Sequence, residues 1–248
     1  MDNNENVQDI INKVLEDNKI RVSGGTITSL EQLSFYLSKI SKKEIDNGNF
    51  NKALYFANKS LEFNKENYEA LFLKGISFRY LGRNDEAIEV LKDHYIASRD
   101  VVSLINIGFC YTQLEENEKA IDYFNQAIKS IKEEERNNYA ELLSAVYECM
   151  GNIYLSREDI LEFDSTDKFK MNYKLAIKYY KKSLSINKSN HILLNRLAAC
   201  YYHFDDIGKA LYCYELASEC APDDKRYRDA VNELRNSGVI SEEIDFNN

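Results

Sequence analysis

Small and apolar residues recur along this chain in a fixed cadence. An alanine followed by an aliphatic residue appears five times, at Ala53-Leu54, Ala87-Ile88, Ala120-Ile121, Ala176-Ile177 and Ala210-Leu211. The intervals are 34, 33, 56 and 34 residues, so one step is stretched and the others keep a period. Twelve residues before the alanine lies a small column, Ser41, Gly75, Gly108 and Ala198, as close helix approach requires. Four residues before that column come Leu37, Leu71, Leu104 and Leu194; three residues after it come Phe78, Tyr111 and Tyr201. One turn past the alanine stand Leu91, Phe124, Tyr180 and Tyr214, followed by small Ser60, Ala127, Ser183 and Ala217. Spacings of three and four predict paired helices, and the single proline, Pro222, falls where the last pair should stop. A period in this range predicts stacked helical repeats whose shared wall holds another polypeptide.

These columns resemble the tetratricopeptide repeat, and the resemblance runs from residue 34 to about 224. It implies an all-α chain: a right-handed α-solenoid of about five helix pairs with terminal capping helices. The pairs are expected at 34–67, 68–100, 101–143, 144–190 and 191–224. Lys74, Glu44 and His94 depart from the pattern, standing for an aliphatic, an aromatic and a small residue. The stretched step divides in two. Gly108 to Gly151 is 43 residues, with the excess at Glu135–Leu143 expected as lengthened helices meeting near Asn137-Asn138. Gly151 to Ala176 is 25 residues, which predicts an insertion at 157–172, either a solvated extension or a finger that touches a partner.

The ends carry their own patterns. Val7, Ile10, Ile11, Val14 and Leu15 make one apolar helical stripe within an N-terminal region, 1–33, that also holds the Gly24-Gly25 break. Thr28 with Glu31 reads as a capping box for the first repeat helix. Residues 225–248 read as a final helix ending at Ser237-Gly238 and an acidic tail. Both terminal helices are expected to cap the array, with an arm lying in the groove as the alternative for 7–18.

Composition narrows the partners. A net charge of −9 over 248 residues argues against a nucleic-acid surface, which needs dense basic patches. No stretch reads as a membrane span or a signal peptide, and the five cysteines, at 110, 149, 200, 213 and 220, lack paired spacing. A cytoplasmic protein with reduced core thiols is expected. His94, His191 and His203 lie at no metal-ligand spacing, and no nucleophile elbow or phosphate loop is present. No catalytic residue, cofactor or metal is predicted, and a non-enzymatic role follows.

The resemblance also places a binding face, because the first helix of each tetratricopeptide pair lines the concave side. The residues so placed are Ser38, Lys42, Ile45; Phe72, Ile76, Arg79; Ile105, Phe109, Thr112; Glu148, Asn152, Leu155; and Asn195, Ala199, Tyr202, flanked by Asn106, Gln113 and Arg196. Phe72, Ile76, Ile105 and Phe109 form an apolar cluster; the competing reading is that they pack against neighbouring first helices. The later pairs add amides able to bond a peptide backbone. A carboxylate clamp of the kind found in chaperone-binding members does not fit, since Glu148 stands where a lysine belongs and Asn106 has no basic neighbours. The expected function is a scaffold that holds a peptide or helix of another protein in this groove. The alternatives are a peptide-sensing regulator or a co-factor of a multi-protein assembly or secretion system, and an uncovered edge could pair two copies.

Overall fold

The computed structural model describes residues 6–22, 26–156 and 167–247, so the expected insertion at 157–172 lies largely outside the described residues. The described chain is helical, with no strand, and falls into two compact units, Met1–Ser130 and Ile131–Asn248. The first unit comprises α1 (Val7–Asp17), α2 (Leu30–Asp46), α3 (Phe50–Phe63), α4 (Tyr68–Tyr80), α5 (Asn84–Ser98), α6 (Val101–Gln113) and α7 (Asn117–Ser130). The second holds a 3-10 segment (Glu133–Tyr139), α8 (Ala140–Ser156), α9 (Asp167–Ile186), α10 (His191–His203), α11 (Ile207–Cys220) and α12 (Lys225–Asn236). Helices pack in consecutive pairs: α2 on α3, α4 on α5 and α6 on α7 in the first unit, α8 on α9 and α10 on α11 in the second.

Complementary sizes hold each pair together. The five alanines of the marker column are all fully buried. A Cβ on Gly75 would lie 2.7 Å from Leu91, one on Gly108 2.5 Å from Phe124, and one on Gly151 2.4 Å from Tyr180. The missing side chain therefore admits the bulky residue of the facing helix, and each such burial contributes about 1.5–3 kcal/mol. Where the small residue is Ser41, the facing position is Ala57, and Ser41 Oγ donates instead to the Ala53 carbonyl at 2.8 Å.

Buried serines fasten two of the pairs. Ser34 and Ser60 Oγ each donate to the other's carbonyl, at 2.8 and 2.7 Å, and Ser144 and Ser183 repeat the arrangement at 3.3 and 2.9 Å. Asn67 Nδ2 donates to both Ser34 and Ser60 Oγ at 3.0 Å while its Oδ1 caps α4 by accepting from the Ala70 amide. The first pair is thereby tied to the start of the second, and no buried polar group in the knot lacks a partner.

The turns inside the pairs share one backbone conformation. Gly48, Gly82, Glu115 and Asp205 all have positive φ, at 74°, 73°, 61° and 60°. Only the first two are glycines; Glu115 and Asp205 hold a left-handed conformation that disfavours a side chain by roughly 1–2 kcal/mol.

Several sequence expectations change. The 3-10 segment takes up most of the Glu135–Leu143 excess, and α7 ends at Ser130, so the two helices do not lengthen to meet near Asn137-Asn138. Asn137 and Asn138 near its end disfavour a continuous α-helix there, since asparagine side chains compete for backbone hydrogen bonds. The capping box of α2 is shifted by one residue: Ser29 Oγ accepts from the Gln32 amide at 3.1 Å, and Gln32 Oε1 accepts from the Thr28 amide at 2.9 Å. At the N-terminus Ile11 is fully buried and packs with Ile27, Leu33 and Leu37.

Candidate functional site

In the first unit the surface of interest is carried by α4 and α6. Their starts are set by Asn67 and by Asp100, whose carboxylate accepts from the Val102 amide at 3.0 Å. Of the residues the sequence places there, Ile76 and Ile105 are 8% and 0% exposed. Asn106 is also buried and spends its Nδ2 on the Val102 carbonyl at 2.8 Å. Ser38 is likewise buried. These four therefore support the wall rather than present it, because first helices of adjacent pairs touch one another. Phe72, Arg79 and Phe109 are half-buried and Gln113 is exposed.

What the structure brings together is an aromatic–cation stack. Phe50 at the start of α3 lies flat on Tyr80, with centroids 4.5 Å apart and planes 8° apart. The Arg79 guanidinium carbon sits 4.2 Å from the Tyr80 centroid and 5.7 Å from that of Phe109. Phe109 in turn meets Phe124 edge-on at 5.2 Å. The order Phe50, Tyr80, Arg79, Phe109, Phe124 thus links α3, α4, α6 and α7. Arg79 Nε is sealed from solvent without a hydrogen-bond acceptor, and no carboxylate of the described residues lies within ion-pair range of the group. Two π faces stabilise this cation by about 0.5–2 kcal/mol. They leave its charge uncompensated.

Beside the stack, Phe72 meets the His94 ring at 5.2 Å, and His94 Nδ1 lies 2.7 Å from Ser103 Oγ. Burial lowers the His94 pKa below its ordinary value, with Asp100 opposing the shift. The histidine that replaces a small residue of the repeat is thus accommodated as a buried, hydrogen-bonded group. Sequence reasoning missed Phe50 and Tyr80, because Tyr80 is the last residue of α4 and faces away from the four-seven spacing of the other positions. The Arg79-Tyr80 step before the Leu81-Gly82 turn was the available signal.

The second unit treats its polar residues differently. Gly151 admits the Tyr180 ring, whose hydroxyl donates to Asn152 Oδ1 at 2.7 Å. Arg196 Nη1 donates to the same oxygen at 2.7 Å and to Glu148 Oε1 at 3.3 Å, while Asn190 Nδ2 donates to Glu148 Oε2 at 3.0 Å. Burial pushes the Tyr180 phenol above its ordinary pKa, so it remains a donor. Glu148 and the carbonyl end of Asn152 are therefore not free acceptors for a peptide backbone. They brace α8, α9 and α10 against one another. In α10 Asn195 is half-buried, Ala199 is exposed and Tyr202 is 55% exposed, so these are its outward members of the sequence-placed row.

Three of the five thiols belong to the core, whereas Cys149 is half-buried and Cys220 is exposed. Cys110, Cys200 and Cys213 are buried, and burial pushes the first up to about 11 and the second up to about 12. No group of three His, Cys, Asp or Glu side chains able to hold a metal occurs among the described residues. None of the described helices is long and apolar enough to cross a membrane.

Comparison with known proteins agrees with the helical-repeat fold. Residues 43–156 match the family model of the Psidin N-terminal TPR repeats region, and residues 169–190 match the tetratricopeptide repeat. The TPR repeat-containing protein MJ0940 of Methanocaldococcus jannaschii is 31% identical over 137 residues, 55% of this chain but 40% of that protein. The chain thus spans well under half the length of that relative. Among solved structures, PilF of Pseudomonas aeruginosa superposes with a TM-score of 0.63 at 17% identity, covering 84% of this chain and 93% of PilF. MamA of Desulfovibrio magneticus gives 0.59 at 15%, covering 80% and 99%. YrrB, described as a TPR protein with an unusual peptide-binding site, gives 0.55 at 16%, covering 89% and 96%. At these identities the structural likenesses concern the fold.

Proposed function

This chain is a tetratricopeptide repeat protein, and we propose that it is a non-enzymatic scaffold whose first unit holds a peptide segment of a partner across α4 and α6. Protein–protein interaction is the general use of the fold. The finer reading rests on one observation: Arg79 is held between Tyr80 and Phe109 with no carboxylate to answer it. A guanidinium fixed by stacking is pre-organised to accept a carboxylate through paired N–H donors. Half-buried Phe109 borders it, half-buried Phe72 lies two turns earlier on α4, and both offer apolar contact. Exposed Gln113 offers an amide to the peptide backbone. The segment this face suits therefore carries an acidic side chain next to an aliphatic or aromatic residue. In the second unit Asn195 and Tyr202 are the corresponding outward groups, resting on the Glu148–Asn152–Arg196 brace.

Selection from a displayed random-peptide library, followed by fluorescence anisotropy on the winning peptides, tests this. Enriched sequences should pair a carboxylate with an apolar residue and should weaken by about tenfold or more against Arg79→Gln. Equal binding by Arg79→Gln would remove Arg79, and with it this face, from the reading.

A further inference from the structure

The chain after α12 makes contacts that the repeat pattern does not require. At Gly238, with φ of 82°, the backbone reverses and 239–247 runs back along α11. The Glu242 amide donates to the Gly208 carbonyl at 3.0 Å. Gly208 permits this approach, since a Cβ there would lie 3.0 Å from the Ile240 carbonyl oxygen and 3.2 Å from Glu242 Cβ. Lys209 Nζ lies 3.4 Å from Glu242 Oε1, and Ser241 Oγ donates to Glu215 Oε2 at 2.6 Å. Ile244 is 5% exposed and Phe246 packs beside it in the core cluster of α10 and α11. Ile244 and Phe246 thus turn toward the helices, while Ser241 and Glu242 reach Glu215 and Lys209 on α11.

The seat is only partly filled. A cavity of about 500 Å³ remains between Lys188, Tyr212 and Leu216 on one side and residues 243–247 on the other. Ile240 is 85% exposed, and a single main-chain bond ties 240–247 to α11. A segment held by few main-chain bonds opens locally at low cost.

We propose that 240–247 is a displaceable ligand carried in cis, and that α11 with Lys188 is a second docking surface, specific for an extended acidic peptide. That peptide has the chemistry of Glu242-Glu243-Ile244-Asp245-Phe246: apolar residues two apart toward the helix, and carboxylates near Lys188 and Lys209. The proposal is independent of the face on α4 and α6.

A fluorescein-labelled peptide of residues 239–247, titrated into full-length protein, tests it. Full-length Ile244→Asp, in which the tail loses its anchor, should bind the peptide about tenfold or more tighter than wild type, because competition in cis is removed. Adding Gly208→Val should abolish that binding, since the new side chain meets the peptide backbone. A folded Ile244→Asp protein that binds no tighter than wild type overturns the proposal. Hydrogen exchange of the wild type serves if Ile244→Asp does not fold. A Glu242 amide exchanging about tenfold or more faster than those of mid-α11 supports displacement, and equal exchange overturns it by making the tail part of the fold. A concentration-dependent dimer abolished by Gly208→Val would assign the seat to the tail of a second copy and overturn the cis ligand.

Discussion

The two units place an arginine against the first helices of their repeats, and they use it in opposite ways. Arg79 lies between two aromatic rings with its Nε sealed and without a carboxylate. Arg196 is bound to Glu148 and Asn152, and a phenol from α9 shares the Asn152 oxygen. An arginine satisfied inside its own unit serves architecture. One that is stacked but unpaired retains free energy for a ligand, because its charge has been oriented without being neutralised. Neighbours rather than residue type separate a brace from a binding site.

The sharpest way to break the comparison is to close the space on which the brace depends. Gly151→Ala should destabilise the second unit by roughly 1–3 kcal/mol in urea denaturation, since the new Cβ meets the Tyr180 ring. Tyr180→Phe, which keeps the ring and removes the hydroxyl, should cost about 1 kcal/mol. If Gly151→Ala costs nothing, the brace owes nothing to the Gly151–Tyr180 fit.

Exchanging the arginines sharpens it further. Arg196→Met should lower stability by up to about 1 kcal/mol, because the ion pair is partly exposed, with side chains 41% and 28% accessible. Arg79→Met should cost no more than the stacking it removes, about 0.5–2 kcal/mol, while reducing affinity for the selected peptides by about tenfold or more. Parallel thermal melts and anisotropy titrations check both. A large stability loss for Arg79→Met would make the stack architectural as well.

Acid should act on the first unit through His94. Its folded-state pKa lies below the ordinary value of 6.5, so the unfolded chain binds the proton more readily. The stability this neutral histidine supports is fully present above the ordinary value and falls as pH drops from there toward the folded-state value. Wild type should therefore lose more stability than His94→Gln between neutral and mildly acidic pH, with hydrogen exchange locating the loss in α5 and α6. Identical pH profiles would contradict the assignment.

The smallest effect belongs to the turns, one in each unit. Glu115→Gly and Asp205→Gly relieve left-handed backbone but loosen the unfolded chain, so each should change stability by no more than about 1 kcal/mol, in the stabilising direction. A loss in the first unit with a gain in the second would show that the Glu115 side chain holds its turn.

Much of the fold was legible because a repeat states each rule several times. All five marker alanines are buried, and the small column meets the bulky one at Gly75, Gly108 and Gly151. The candidate site was less legible. Helical spacing places Phe72, Ile76, Ile105 and Phe109 on a common face, yet it carries no information about how closely the next first helix approaches. That approach buries Ile76 and Ile105 and leaves the two phenylalanines half open. Likewise Glu148 and Asn152 read as exposed polar residues until Arg196, more than forty positions away, is folded against them.

Taken alone, the sequence determined the helical repeat and its internal register, since those follow from local periodicity and from the size of one side chain against another on the facing helix. Tertiary structure decided which polar and aromatic groups remain available. The Phe50–Tyr80–Arg79–Phe109 stack and the return of 239–247 onto α11 both join residues from separate elements. Whether a charge ends paired or waiting depends on distances between helices, and periodicity within a helix does not encode those distances.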